Sequence, residues 1–448
     1  MAGSKRALPT GRLKRTALPS AIALRTGAAV AAARVRALRG DRMADLADDP
    51  RLAAAATRAA KQMGEMKGAV MKIGQILSFV DNSFLPEQYR EALAMLQADA
   101  PPMPYDLVVD VVRSELGGRP EEVYDWFSPE PIAAASIGQV HMAHLGDAEV
   151  VVKVQYPGVA EAIASDLRNA ALISVLTNVM QNALRGMVGD VDTKAIVAEV
   201  RDRVTDELDY RIEARNQQRF ADLYRGDPSI HVPEVVPELS TERVLTTEYV
   251  DAMRWQAALA QPQDLRDQWG LAICRFVFGT LRDARLFNAD PHPGNYLFHA
   301  DGRVSFLDFG CVKEFTPETM DGLYQLAWAL RANEQDRILD ALVHIGMLRS
   351  RDGFDSNVLF DRIGRIWEPI YGPQPFRYSR AWIESQLEEL MQLRLGKQEL
   401  QLMRQTDMPA DHVFLTRIVI GLNSVLAQLE CTVDWGPLAD EIWGEQPY

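Results

Sequence analysis

The sequence predicts an α+β protein in two lobes, a small strand-rich one followed by a large, mostly helical one, with a helical extension in front. Three observations predict it. Apolar residues at helical spacing fill 42–99, as in "EMKGAVMKIGQILSFV" (65–80). The pattern then turns to β-branched and alternating runs in "SIGQVHMAHL" (136–145) and "AEVVVKVQY" (148–156). From 262 onward helical patterns dominate, interrupted by a loop at 288–295 and short strands around 296–308.

The elements follow in order. "PEQYREALAMLQ" (86–97) carries proline where a helix N-terminus tolerates it. "ADAPPMPYD" (98–106) breaks that helix, and another is expected over 105–116. Gly146 and Asp147 separate the two strand patterns as a hairpin turn. A long helical region covers 158–225, and "HVPEVVPELSTERVLTTEYV" (231–250) returns to strand composition. There is no internal repeat and no low-complexity linker.

Composition bounds the function. At 448 residues, 47% hydrophobic and 25% charged, the chain is an ordinary globular protein. Its three cysteines, Cys274, Cys311 and Cys431, form no CxxC pair, which argues against a metal cluster or a disulfide scaffold and favours a reducing compartment. The net charge is −14, which gives no reason to expect a nucleic-acid partner. Residues 1–40 nevertheless hold nine Lys/Arg and no acid. This basic leader fits a tether to a membrane surface or acidic partner, or a loosely ordered segment. Arg25 and Arg34 interrupt any signal-peptide core.

No stretch reaches 18 apolar residues, so no transmembrane helix is expected. "VFLTRIVIGLNSVLAQL" (413–429) contains Arg417 and Asn423 and reads as a buried C-terminal helix. The uncharged "NAALISVLTNVMQNAL" (169–184) fits either a packed helix or one lying on a membrane or partner. The expected location is the cytoplasm, with a peripheral position at a membrane as an extension of it.

The chemistry is concentrated in "NADPHPGN" (288–295) and "VSFLDFG" (304–310). Taken alone, the first is a turn, since Asp, Pro, Gly and Asn are turn residues. Asp290, Asn295 five residues later and Asp308 thirteen further on have the spacing of a protein-kinase catalytic loop and its magnesium-binding aspartate. Phosphoryl transfer from ATP also needs a lysine on the phosphates and an acid to hold it. Lys153 sits among valines, where a lysine is expensive to bury unless paired. A solvent-facing lysine on an edge strand is the alternative. "DELDYRIEARN" (206–216) offers Glu207, Asp209 and Glu213 as partners, with Glu213 near the middle of its helix. "LTTEYVDA" (245–252) stands where a hinge would present backbone groups to adenine, at Glu248 and Val250. Asp308 and Asn295 would hold Mg2+, and Asp290 would orient the attacking hydroxyl or water.

Two features depart from ordinary kinases. "PIAAASIGQVH" (131–141) puts Ala133, Ala134, Ala135 and Ser136 where glycines would cover the phosphates, which stiffens that loop. "MKIGQ" (71–75) places Lys72 and Gln75 on one helix face ahead of the core. With the "ELD" of Glu207 and Asp209, these features resemble the UbiB family of atypical kinases, also called ABC1 or AarF/ADCK-like. The resemblance covers 60–315 closely and the helical remainder more loosely. It implies a bilobal protein-kinase-like fold with an N-terminal helical KxGQ extension and a mostly helical C-lobe. The division is a leader at 1–41, the extension at 42–118, an N-lobe with a helical insertion at 119–250 and a C-lobe at 251–448.

The resemblance also implies that Lys72 and Gln75 lie in the cleft and that Lys72 engages Glu207 and Asp209 to gate it. It implies ATP or ADP and Mg2+ as ligands, ATPase-like activity, and a link to quinone or other prenyl-lipid metabolism. A non-catalytic nucleotide switch that binds a lipid or protein is the second reading. A small-molecule kinase of the antibiotic-phosphotransferase type is the third, and the KxGQ and ExD pair argues against it. No His-Arg precedes Asp290, whose neighbours are Asn288 and Ala289, and no APE element follows "DFG".

Overall fold

The structure is a computed structural model that describes residues 102–135, 137–161, 163, 205–288, 291–391, 397–406 and 410–444. The helices expected over 42–99, the KxGQ segment, the basic leader and 169–184 lie outside the described residues.

The N-terminal lobe begins with helices α1 (Tyr105–Leu116) and α2 (Pro120–Val123), followed by strands β1 (Trp126–Ala134), β2 (Gly138–Leu145) and β3 (Ala148–Gln155). Helix α3 (Tyr210–Leu223) and strand β5 (Val244–Glu248) complete it, while β4 (Ile230–His231) between them pairs in parallel with Val304–Ser305 of the C-terminal lobe. One antiparallel sheet runs β1-β2-β3-β5. The β2–β3 hairpin turns at Gly146–Asp147, as the sequence predicts, with Gly146 at a positive φ of 60° that glycine reaches without strain. Strand β1 was not expected. It lies where the alanine-rich loop was placed, and Ala133 and Ala134 pair with Val140 and Gln139 rather than looping.

Alternation on β3 explains its apolar run. Val150, Val152 and Val154 are buried against Val108, Val111 and Val112 of α1. Val151 and Lys153 therefore take the opposite face. A buried polar chain joins α1 to the sheet: the Met103 N–H donates to Gln139 Oε1 at 2.8 Å, Gln139 Nε2 contacts His141 Nε2 at 2.9 Å, and His141 Nδ1 contacts the Ser128 carbonyl at 2.8 Å. Burial pushes the His141 pKa down, so the ring is neutral, as an acceptor for Gln139 must be.

The C-terminal lobe is built on α5 (Gln263–Ala284), which follows the short α4 (Trp255–Leu259). Around it lie β6 (Leu286–Asn288), β7 (Tyr296–Phe298), β8 (Val304–Phe306) and β9 (Val312–Glu314). Helices α6 (Pro317–Arg331), α7 (Gln335–His344) and α8 (Ser356–Tyr371) follow, then β10 (Phe376–Arg377), α9 (Arg380–Met391), α10 (Lys397–Gln405), α11 (Ala410–Leu429), β11 (Thr432–Val433) and α12 (Gly436–Trp443). Trp269, Ile273, Phe276 and Leu281 of α5 share a core with Ile418, Leu422, Val425 and Leu426 of α11. The C-terminal apolar run is thus the buried helix expected. Among the described residues no helix is long and apolar enough to cross a membrane.

Candidate active site

Lys153 is not on an edge. Strand β3 lies between β2 and β5, and Lys153 pairs with Val140 on one side and Leu245 on the other. Its side chain meets Glu213 of α3, and Nζ donates to both carboxylate oxygens at 2.8 Å. The side chains are only 18% and 7% exposed. The Lys153 Nζ also lies 4.9 Å from the centre of the Tyr210 ring. Burial opposes the lysine charge, but the carboxylates of Glu213 and Asp308 outweigh it and push the Lys153 pKa up. Burial pushes Glu213 up too, against the pull of Lys153 and with help from Asp308. Both Glu213 oxygens face the ammonium, which leaves a carboxyl proton no position between them, and the pair stands as ammonium and carboxylate.

Helix α3 starts later than expected. Glu207 and Asp209 precede it, and Glu213 lies in its first turn rather than its middle. The cause is capping: Asp209 takes an extended conformation and its side chain accepts from the Arg211 N–H. Asp209 is also gripped by the Arg211 guanidinium through two 2.8 Å bonds. The peptide between the two acids is held from β3, where Gln155 Nε2 donates to the Leu208 carbonyl at 2.9 Å.

The second half of the site comes from a hairpin. Tyr296 pairs with Phe306 across β7 and β8, and the Leu307 N–H donates to the Asn295 carbonyl at 3.0 Å. This register puts Asn295 opposite Leu307, one residue from Asp308. The turn reading of "PHPGN" also holds: Pro293–Asn295 form a single 3-10 turn whose first N–H groups meet His292. Asp308 Oδ1 accepts from the Gly310 N–H at 2.9 Å, and the Asp308 carbonyl accepts from Asn288 Nδ2 at 2.8 Å. Asn288, which stands where ordinary kinases carry part of a His-Arg pair, thus ties β6 to the "DFG" turn. Phe309 is fully buried between Phe220 (5.0 Å) and Phe276 (6.3 Å), and its carbonyl accepts from Asn216 of α3.

Around Gly310 the acids converge. A Cβ on Gly310 would stand 3.3 Å from Asp308 Oδ1, 3.7 Å from Glu207 Cγ and 3.9 Å from Glu213 Oε2. Lys153, Glu213, Asp308 and Glu207 are therefore one cluster. Among the described residues no three His, Cys, Asp or Glu side chains converge as metal ligands. Asp308 with Asn295 offers two oxygen ligands, a number that suits Mg2+ completed by substrate phosphates.

Two expectations are corrected in detail. At the segment expected to present backbone carbonyl and N–H groups to adenine, the Glu248 N–H donates to the Glu234 carbonyl at 2.9 Å. The neighbouring Tyr249 N–H donates to the Glu149 carbonyl at 3.0 Å. Ala133 and Ala134 belong to a strand, and the Ala135 N–H is occupied by the Gly138 carbonyl at 2.9 Å. Lys72, Gln75, Ser136 and Asp290 lie outside the described residues.

Gln155, Asn216, Asn288 and Tyr210 were not singled out as site residues. Only Gln155 gave a signal, a long polar side chain ending an apolar strand.

These lobes and this cluster define a kinase-like protein. The family model described as "ABC1 atypical kinase-like domain" matches residues 95–342, and the chain belongs to that family, the UbiB group. It is 32% identical to "Atypical kinase COQ8B, mitochondrial" of Rattus norvegicus over 80% of this chain and 66% of the relative. It is 28% identical to "Atypical kinase COQ8, mitochondrial" of Saccharomyces cerevisiae over 86% of this chain and 75% of the relative. For "Protein ACTIVITY OF BC1 COMPLEX KINASE 8, chloroplastic" of Arabidopsis thaliana the identity is 35%, over 62% of this chain and 37% of the relative. The chain therefore spans about a third to three quarters of the length of these curated relatives. Among solved structures, the Rv3197–erythromycin complex from Mycobacterium tuberculosis matches with a TM-score of 0.64 and 31% identity, over 87% of this chain and 97% of that one.

Proposed function

We propose that the chain binds Mg–ATP between its lobes and hydrolyses it or transfers its γ-phosphate, in support of quinone or other prenyl-lipid metabolism. The observation that carries this is the buried Lys153–Glu213 pair facing Asp308. A lysine locked by one acid and facing a second is set to neutralise phosphate charge beside a metal ligand. Val250 would donate to adenine. Asn295 and Asp308 would hold Mg2+, which when bound neutralises charge on the phosphates. Asp290 would orient the attacking hydroxyl or water, and Lys72 with Gln75 would gate the cleft at Glu207 and Asp209. The basic leader and 169–184 would bring the protein to a lipid surface.

The erythromycin complex of the mycobacterial relative supports a second ligand class, a bulky lipophilic small molecule. A non-catalytic switch would use the same nucleotide site without turnover. The reading is tested by thermal unfolding with Mg–ATP. The midpoint should rise, and Asp308→Asn should remove the magnesium-dependent part of the rise. A wild-type midpoint indifferent to Mg–ATP would reject the reading.

A further inference from the structure

The Tyr210 side chain is 1% exposed, and its hydroxyl has no hydrogen-bond partner among the described residues. A buried hydroxyl without a partner is destabilising, and a phenylalanine would fill the same space without that loss. Its ring already has a task, covering the Lys153 ammonium. The hydroxyl does not contribute to that contact.

Its position says what it could serve. Tyr210 follows the Asp209 cap as the first residue of α3, and its N–H is fixed by the Glu242 carbonyl at 3.0 Å. The hydroxyl points under the β1–β2 turn. A Cβ on Gly138 would stand 3.0 Å from it and 2.2 Å from the Val154 carbonyl, so only glycine lets the turn close down over this spot. Lys153, Glu213, Asp308 and Glu207 all act electrostatically on the phenol. Burial and the three carboxylates push its pKa up against the pull of Lys153, which keeps it a proton donor.

At the alanine-rich turn one backbone donor is already engaged within the turn. The Ala135 N–H is bonded to Gly138 within the turn, and Ala133 and Ala134 are in strand pairing.

We infer that the Tyr210 hydroxyl is a phosphate donor of this site, hydrogen-bonding a β- or γ-phosphate oxygen of the bound nucleotide beside Lys153. The inference rests on the nucleotide-binding reading above and assigns a residue to it. In this role Tyr210 replaces part of the backbone cradle that glycine-rich loops provide.

The test is Tyr210→Phe, which removes one oxygen and keeps the ring over Lys153. Affinities for Mg–ATP and for AMP are measured by calorimetry, with the thermal midpoint of the unliganded protein alongside. The expected result is a loss of about tenfold for Mg–ATP, no change for AMP, and an unliganded midpoint equal to or above wild type. Unchanged Mg–ATP affinity would overturn the assignment and leave a buried hydroxyl without a ligand. Equal losses for both nucleotides would also overturn it, because the effect would then be on the fold of the site. If the wild type bound neither, the nucleotide reading would fail first and the assignment with it.

Discussion

At the scale of the residue, the Lys153–Glu213 pair is the feature on which the site depends. Its two members do not respond alike to losing each other. A lysine cannot easily shed its charge at neutral pH, but a buried carboxyl can take up a proton. In Lys153→Met, Glu213 loses its counter-ion and keeps the burial and the acidic neighbours that push its pKa up. A carboxyl whose folded-state pKa lies above its unfolded one favours folding below the unfolded value, and that contribution is lost as pH rises through the folded value. The destabilisation of Lys153→Met relative to wild type should therefore be large at pH 8 and shrink as pH falls towards about 5, read as the difference in denaturation midpoints. A difference independent of pH would mean that Glu213 is not the buried partner. Sequence exposed this pair only as a set of candidates. The valines around Lys153 signalled burial, but three acids competed for it, and nothing local shows that Asp209 is taken by Arg211 and the helix cap. The roles of Asn288 and Asn216 were illegible for a similar reason. Each side chain reaches a backbone carbonyl 20 or 93 residues away, a distance no spacing rule covers.

At the scale of the element, the β1–β2 turn and helix α3 fix the site against each other. Gln155 holds the peptide between Glu207 and Asp209, and Asn216 with Phe220 holds the "DFG" turn. Gly138 is the tightest point. Gly138→Ala would place a methyl 2.2 Å from the Val154 carbonyl, so the turn must lift from β3. That overpacking should cost roughly 1–3 kcal/mol and weaken Mg–ATP binding as well. Gly146→Ala, in open space at a φ of 60°, should cost about 1 kcal/mol from backbone strain and leave Mg–ATP affinity alone. Chemical denaturation and a nucleotide titration of both variants separate the cases. Equal effects on affinity would show that the turn does not cover the phosphates. The hairpins, α3 and the C-terminal helix were legible because their apolar periods are long and regular. Strand β1 was missed because "WFSPEPIAA" carries two prolines, and such residues read as a loop unless a neighbouring strand is known to pair with them. The start of α3 was misplaced because the capping role of Asp209 competes with its reading as a helical acid.

At the scale of the whole molecule, helix α3 links the N-lobe sheet to the large C-lobe core. Phe220 of α3 enters the C-lobe core with Phe276 and Phe309, while Glu213 in the same helix holds Lys153 of the N-lobe sheet. Asp308 and Lys153 are thus both positioned through α3, and the order of motifs along the chain becomes a proximity in space. That order was readable from sequence because the parts are few and their sequence of appearance is fixed by the two-lobe path. What becomes of the γ-phosphate is the claim that matters most. Purified protein should be incubated with γ-labelled ATP, Mg2+ and a lipid extract, with Asp308→Asn alongside. The account predicts label leaving ATP in the wild type, either onto a lipid, small molecule or protein or as free phosphate, and none leaving it in the variant. Label that stays in ATP, or turnover that survives Asp308→Asn, would contradict it.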